Sequence, residues 1–278
     1  MIILMTNITL AQNWNLFSGN SGYPFLGAAA FFGIGEYVTA YSSKLVPYYL
    51  AVPLGGLLSG ALGLLLGLVI LRLRGTYFAI LTFVVSEVLK YAFVSYEVAN
   101  FASVGRILQT QSSEIVYIFV FTITLTTLYV SHRIRKSKIG LGLFAIRADE
   151  DVAEVSGVDT RFYKVAVFAL SGLLMGLVGA AAVGRTGYVD PYSAFNPTIS
   201  FQALAMCSLG GVGTIVGPIL GAAVMSILSE FLLGASPLLY NLILGVIIVV
   251  VVVLMPGGLL KTLRKVIRGS RLWINPNL

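Results

Sequence analysis

Charged side chains are scarce in the apolar stretches of this 278-residue chain, and the few that occur there are the first candidates for chemistry. Glu36, Glu87, Lys90 and Glu230 each fall inside a long apolar window. An ionised group in hydrocarbon is costly, so each is expected to face a protein interior, an aqueous path or an interface. Glu87 and Lys90 stand three apart, a spacing at which side chains on one helix meet, and read as an ion pair. Glu36 has no cation at that spacing and is the best intramembrane candidate for a functional group. Glu230 falls near a helix end, where exposure to the interface favours a structural reading.

Residues 143–158 intersperse Phe144, Ile146, Val152 and Val155 with Arg147, Asp149, Glu150, Asp151 and Glu154. That pattern predicts a short amphipathic helix, or a pair of them, closing near Gly157. Two readings fit: a docking element for a peripheral protein, or a helix resting on lipid headgroups, although its acidic residues suit an anionic leaflet poorly. The run 210–222, with Gly210, Gly211, Gly213, Gly217, Pro218 and Gly221, marks a helix break and close packing. A broken helix of this kind can also present backbone donors to an anion. Gly172, Gly176, Gly179 and Ala180 have the spacing of a packing face. Enzyme chemistry finds little support. His132 stands alone in a basic loop, and no Gly-x-x-x-x-Gly-Lys-Ser/Thr phosphate loop occurs, so no metal, cofactor or ATPase site is expected. Cys207 reads as a small buried hydrophobe.

The elements that must position these residues are membrane helices. Hydrophobic residues make up 58% of the chain and charged residues 10%, with a mean hydropathy of +0.93, whereas soluble domains are about one-quarter charged. Strand-like alternation is absent. The sequence therefore predicts an all-α polytopic bundle, one transmembrane domain over 1–278 with about nine segments near 2–17, 24–42, 48–71, 76–96, 115–131, 163–184, 198–210, 214–233 and 237–255. The first is expected to be a weak span rather than a removed signal peptide, because Asn7, Gln12, Asn13 and Asn15 interrupt it. The seventh is too short for a standard span and reads as broken or partly inserted. Basic clusters at Arg72/Arg74, at 132–138 and at 261–271 fall on one side, which makes the loop 132–162 and the tail 256–278 cytoplasmic. The excess of 18 Lys+Arg over 11 Asp+Glu thus orients the protein in a lipid bilayer and does not point to nucleic acid.

Several segments together resemble the permeases of branched-chain amino acid ABC importers, a family that includes urea and amide permeases. Phe25-Leu26-Gly27-Ala28-Ala29-Ala30-Phe31-Phe32-Gly33-Ile34-Gly35-Glu36-Tyr37 is similar to the family's Ser-Leu-Gly-His-Ala-Ala-Phe-Phe-Gly-Ile-Gly-Ala-Tyr element, and Arg74-Gly75-Thr76-Tyr77-Phe78-Ala79 to its Arg-Gly-x-Tyr-Phe-Ala segment. Ala145-Ile146-Arg147-Ala148-Asp149-Glu150, running on through Ala153, Glu154 and Gly157 to Lys164, resembles the loop that docks the ATPase in that family. The glycine-rich run and Pro256-Gly257-Gly258-Leu259 match as well. Phe25, Ala28 and Glu36 depart from the family pattern.

The resemblance implies a permease subunit in the cell membrane, carrying branched-chain amino acids or a related small solute and hydrolysing no ATP itself. It implies as partners cytoplasmic ABC ATPase subunits, a second related permease or a second copy, and an extracytoplasmic solute-binding protein. Arg147, Asp149, Glu150, Ala153, Glu154 and Gly157 would then form the docking loop, with Gly27, Gly33 and Glu36 along the pathway. The alternatives are a urea or amide permease, and an ion-coupled carrier or channel in which Glu36 binds a proton or cation.

Overall fold

The computed structural model describes residues 1–235 continuously, with positions 242, 243, 245 and 246 beyond them. The last predicted segment (237–255) and the basic tail (256–278) lie outside the continuously described chain. Helix α1 (Ile2–Trp14) runs directly into a π-helical turn (Asn15–Gly19). It is followed by α2 (Ala28–Ser42), α3 (Tyr48–Ile70), α4 (Thr76–Phe101), α5 (Ser113–Arg135), α6 (Lys138–Ala148) and α7 (Glu150–Val155). Next come α8 (Thr160–Thr186), α9 (Pro191–Ala194), α10 (Pro197–Gly210) and α11 (Val216–Ala235). Two short strands, β1 (Arg106–Ile107) and β2 (Tyr188–Val189), pair antiparallel and tie the α4–α5 link to the α8–α9 link. The architecture is an all-α membrane bundle, as the composition requires.

Among the described residues four helices, α3, α4, α5 and α8, are long and apolar enough to cross a membrane. Helix α10, with 14 residues, spans only about 21 Å at ~1.5 Å per residue, short of a ~30 Å hydrocarbon core. It is the short seventh segment expected from the sequence. Polar N-caps start the helices nearest the links: Asp159 accepts from Phe162 N at the head of α8, and Asn196 accepts from Thr198 N at the head of α10.

Helix α8 packs against α2 and α3 through small residues. The backbone of Gly176 lies so close to Gly35 that a β-carbon at Gly35 would overlap it, and Ser59 fills the space over Gly176. The Ser59 hydroxyl lies 3.0 Å from Phe31 O and 2.9 Å from Gly172 O, joining three helices without charge.

Helix α1 departs from expectation. From Ile8 to Ser21 every residue is buried, and the helix packs against α5, α8, α10 and α11. The polar residues that make it a poor lipid-facing span are directed at protein instead. The Thr9 and Thr124 hydroxyls meet at 2.9 Å, and Asn7 Nδ2 donates to Ser226 Oγ at 2.9 Å. From Ile8 on, the low hydropathy of this helix is tolerated in a membrane bundle because that stretch is enclosed by protein on every face.

Candidate functional site

The loop between α5 and α8 is built from two short helices and three caps. Ser137 begins α6, and Asp149 begins α7 by accepting from Asp151 N at 3.0 Å and Val152 N at 3.1 Å. Helix α7 ends where Gly157 N donates to Glu154 O and Val158 N to Ala153 O, with Gly157 at φ +84°. This is the left-handed closure that glycine adopts without strain. A β-carbon at Gly157 would meet nothing within 4 Å.

The residues grouped on this loop by sequence divide between two faces. Glu150 reaches back to the bundle, where Lys164 Nζ of α8, itself buried, lies 2.5 Å from its carboxylate. The Tyr23 hydroxyl, on the link between α1 and α2, also donates to Glu150. Lys164 further donates to Tyr23 Oη at 3.1 Å and Leu71 O at 3.4 Å, while Arg74 Nε stands 3.5 Å from Glu150. Burial and the adjoining Glu150 carboxylate push the Tyr23 phenol above its ordinary range, so it remains a donor. Ala153 is buried against the hydrophobic core. Outward stand Asp149, Asp151, Glu154 and Gly157, together with Val152 and Val155, the latter 91% exposed. Asp151 pairs with Arg74 Nη1 at 2.7 Å.

Arg147 makes the second tie. Its Nη1 donates to Gly19 O at 2.5 Å, at the end of the π-helical turn. The guanidinium also stands against Gly213, where a β-carbon would lie 2.8 Å from Nη1. Asn15, at the start of the same turn, accepts from Gly213 N at 2.7 Å and donates to Thr214 O at 2.6 Å. The glycine-rich break and the loop, which the sequence treats as separate features, therefore meet at residues 15–19 of the central helix. A π-turn adds one residue per turn and often marks a functional position. Asn15 and Arg147 carry this junction. Asn15 reads in the sequence as a flaw in a span, and its only signal is an amide recurring on an otherwise apolar helix.

Within the break, the backbones of Gly210 and Gly217 approach too closely for any side chain, as do Gly221 and Met206 O, and Pro218 lies in the first turn of α11. Gly211 has φ +127° and closes α10. The run packs two helices against each other. Gly27 and Gly33 are packing positions too: Gly27 abuts Thr82 O, and Gly33 abuts Phe195 and Ala194 O. Glu36 is partly exposed, with no hydrogen bond or ion pair among the described residues, and the Asp190 carboxylate is close enough to repel it. Glu230 lies exposed in α11, lining an open cleft with Met1, Glu114 and Arg185. Glu87 and Lys90 form the expected pair, at 2.5 Å.

One charged cluster has no counterpart in the sequence reading. Glu97, fully buried at the end of α4, accepts from Gly105 N at 2.6 Å and from Arg106 Nε at 3.0 Å, and Tyr41 lies 3.4 Å away. Arg106 also stacks on Phe101, with 3.6 Å to the ring centroid. The cluster fixes the link that carries β1.

The family model for the branched-chain amino acid transport system permease component matches residues 1–252. The chain is 27% identical to the high-affinity branched-chain amino acid transport system permease protein LivM of Escherichia coli, over 94% of this chain and 69% of that protein. To the Salmonella typhimurium LivM it is 28% identical over the same shares. It is also 30% identical to the galactose/methyl galactoside import permease protein MglC of Escherichia coli, over 43% of this chain and 37% of that protein. No solved structure matches it. With the match running through the described bundle, its hooked loop and its glycine-rich break, the chain belongs to the family of branched-chain amino acid transport system permease components.

Proposed function

We propose that this chain is one permease subunit of an ABC-type importer in the cell membrane, carrying a branched-chain amino acid or a related small zwitterion. Cytoplasmic ATPase subunits supply the energy, a second permease subunit completes the pathway, and an extracytoplasmic binding protein delivers solute. The observation that carries this reading is the construction of the loop 138–159. One face is bolted to the bundle by Lys164–Glu150 and Arg147–Gly19, and the other offers Val152, Val155, Asp151 and Glu154 to a partner.

A helix lying on lipid headgroups needs an apolar face and cationic flanks. This loop has acidic flanks instead, which suits a protein partner with basic groups. When ATP binding draws the ATPases together, the loop would move with them. Its two ties pass that displacement to α8 and to the π-turn of α1, and Asn15 passes it on to the α10–α11 break. Closure then needs only a modest difference in energy between two packings, which the ATPases bias.

A sugar substrate is the second reading, favoured by the partial similarity to sugar permeases. The test of docking is co-purification with the ATPase after Val155→Asp, a change at an exposed position that leaves the core untouched. Loss of the ATPase supports the assignment, and retention at wild-type stoichiometry removes it.

A further inference from the structure

Helix α5 closes on a run of basic side chains, His132, Arg133 and Arg135, with Lys136 directly after it. Its 23 residues cover about 35 Å at ~1.5 Å each, slightly more than a ~30 Å hydrocarbon core, so this last turn stands at headgroup depth. Two clefts flank the turn and share His132 and Lys136. One of them, of about 450 Å³, has His132, Arg135, Lys136 and Phe144 on one wall and residues 214–216 on the other. Those three residues lead from the glycine-rich break into α11, where Thr214 Oγ1 accepts from Gly217 N. The positive end of the α11 dipole thus stands across the cleft from the basic side chains.

These cations lack counter-charges. Among the described residues no ion pair involves Arg133, Arg135 or Lys136. The half-buried Arg135 guanidinium lies 5.7 Å from the Phe144 ring centroid and has no carboxylate beside it. Residues 236–278 contain no Asp or Glu, so they offer no acidic side chain to neutralise the cleft. Membrane orientation needs only positive charge on one side, not a concave site whose second wall comes from a distant part of the chain.

A phosphate suits this cleft, because its oxygens can accept from a guanidinium, an ammonium and the N–H groups of a helix start. Depth and lining select the source of that phosphate. Ile134 and Ile139 border the adjoining cleft and Val216 is exposed at the rim, as acyl chains below a headgroup require. We propose that the cleft between the end of α5 and the start of α11 binds the headgroup of an anionic phospholipid, with Arg135 and Lys136 on its phosphate.

The test purifies the full-length chain with its co-purifying subunits, supplies phosphatidylglycerol or phosphatidylcholine, and reads retained lipid by native mass spectrometry. Arg135→Gln combined with Lys136→Gln is expected to lower phosphatidylglycerol retention roughly tenfold or more. Arg72→Gln combined with Arg161→Gln removes the same charge from exposed positions at the same end of the bundle and is expected to leave retention unchanged. Equal loss in both double variants would reduce the effect to diffuse attraction between charge and leaflet and overturn the site, as would wild-type retention by the first. Val216→Trp narrows the cleft without removing charge and is expected to lose the lipid too, whereas retention would place the lipid elsewhere. Thermal unfolding gives a second readout: phosphatidylglycerol is expected to raise the Tm of the wild type and of neither cleft variant, and an equal rise in all would overturn the proposal. Excess inorganic phosphate is expected to leave the lipid in place, and its displacement would overturn the lipid as occupant. Loss of the ATPase from the Arg135→Gln, Lys136→Gln variant with phosphatidylglycerol still bound would make the cleft a protein seat instead.

Discussion

Lys164, buried in α8, holds Glu150 of the loop between α5 and α8 at 2.5 Å, with the Tyr23 hydroxyl bonded to both. The bond joins a long membrane helix to the short helix α7, on which the proposed docking depends. It behaves as a fixed joint because both charges lie largely out of water. Removing one partner strands the other, so Lys164→Met is expected to destabilise the subunit by about 3 kcal/mol. Glu150→Gln, which keeps a hydrogen-bonding group, should cost less. A double-mutant cycle read by thermal unfolding in detergent checks this. Additive single effects would mean that the joint contributes no coupling.

Asn15 supplies one acceptor and one donor to the break at Gly213 and Thr214. Asn15→Leu leaves the buried Gly213 N–H unsatisfied, at about 1–3 kcal/mol, and frees the part-buried Thr214 carbonyl at a smaller cost. Asn15→Asp keeps the acceptor and removes the donor. Uptake is expected to fall in the order wild type, Asp, Leu, while ATPase association stays constant. Equal uptake in all three would show that the break moves independently of α1.

Gly157 separates a backbone effect from a docking effect. Its φ of +84° penalises every other residue by roughly 1 kcal/mol, yet the space around it is open. Gly157→Ala and Gly157→Trp should therefore destabilise the free subunit equally. If a partner approaches here, the Trp variant alone should lose the ATPase in a pull-down. Equal retention by both would place the partner elsewhere.

Glu36 has no ion-pair or hydrogen-bond partner among the described residues and sits near Asp190. Glu36→Gln is expected to change solute uptake without lowering protein level. Unaltered uptake across pH 5 to 8 would make the residue a packing element.

Much of this architecture is legible in the sequence, because membrane helices declare themselves through long apolar runs and the loop through its mixed pattern. The ion pair of Glu87 and Lys90 follows from helical spacing. The place of α1 does not: hydropathy measures affinity for lipid, and a helix enclosed by protein escapes that measure. Likewise Arg147 and Gly213 are 66 residues apart, and no local pattern announces that a guanidinium fills the space over a glycine. Glu97 and Arg106 fall in a link whose charges look solvated until the β1–β2 pairing folds Arg106 over Phe101.

The central claim, that the loop drives the bundle through its two ties, is tested most directly by Arg147→Ala in the reconstituted importer. This change frees Gly19 O and opens the space beside Gly213 but leaves Val152, Val155 and Glu154 in place. The measurement is solute uptake per ATP hydrolysed, in proteoliposomes containing the ATPase and loaded binding protein. The expected result is a complex that still holds its ATPase while uptake per ATP falls roughly tenfold, the loss of about 1.4 kcal/mol of coupling. A wild-type ratio, with the ATPase bound, would contradict the account.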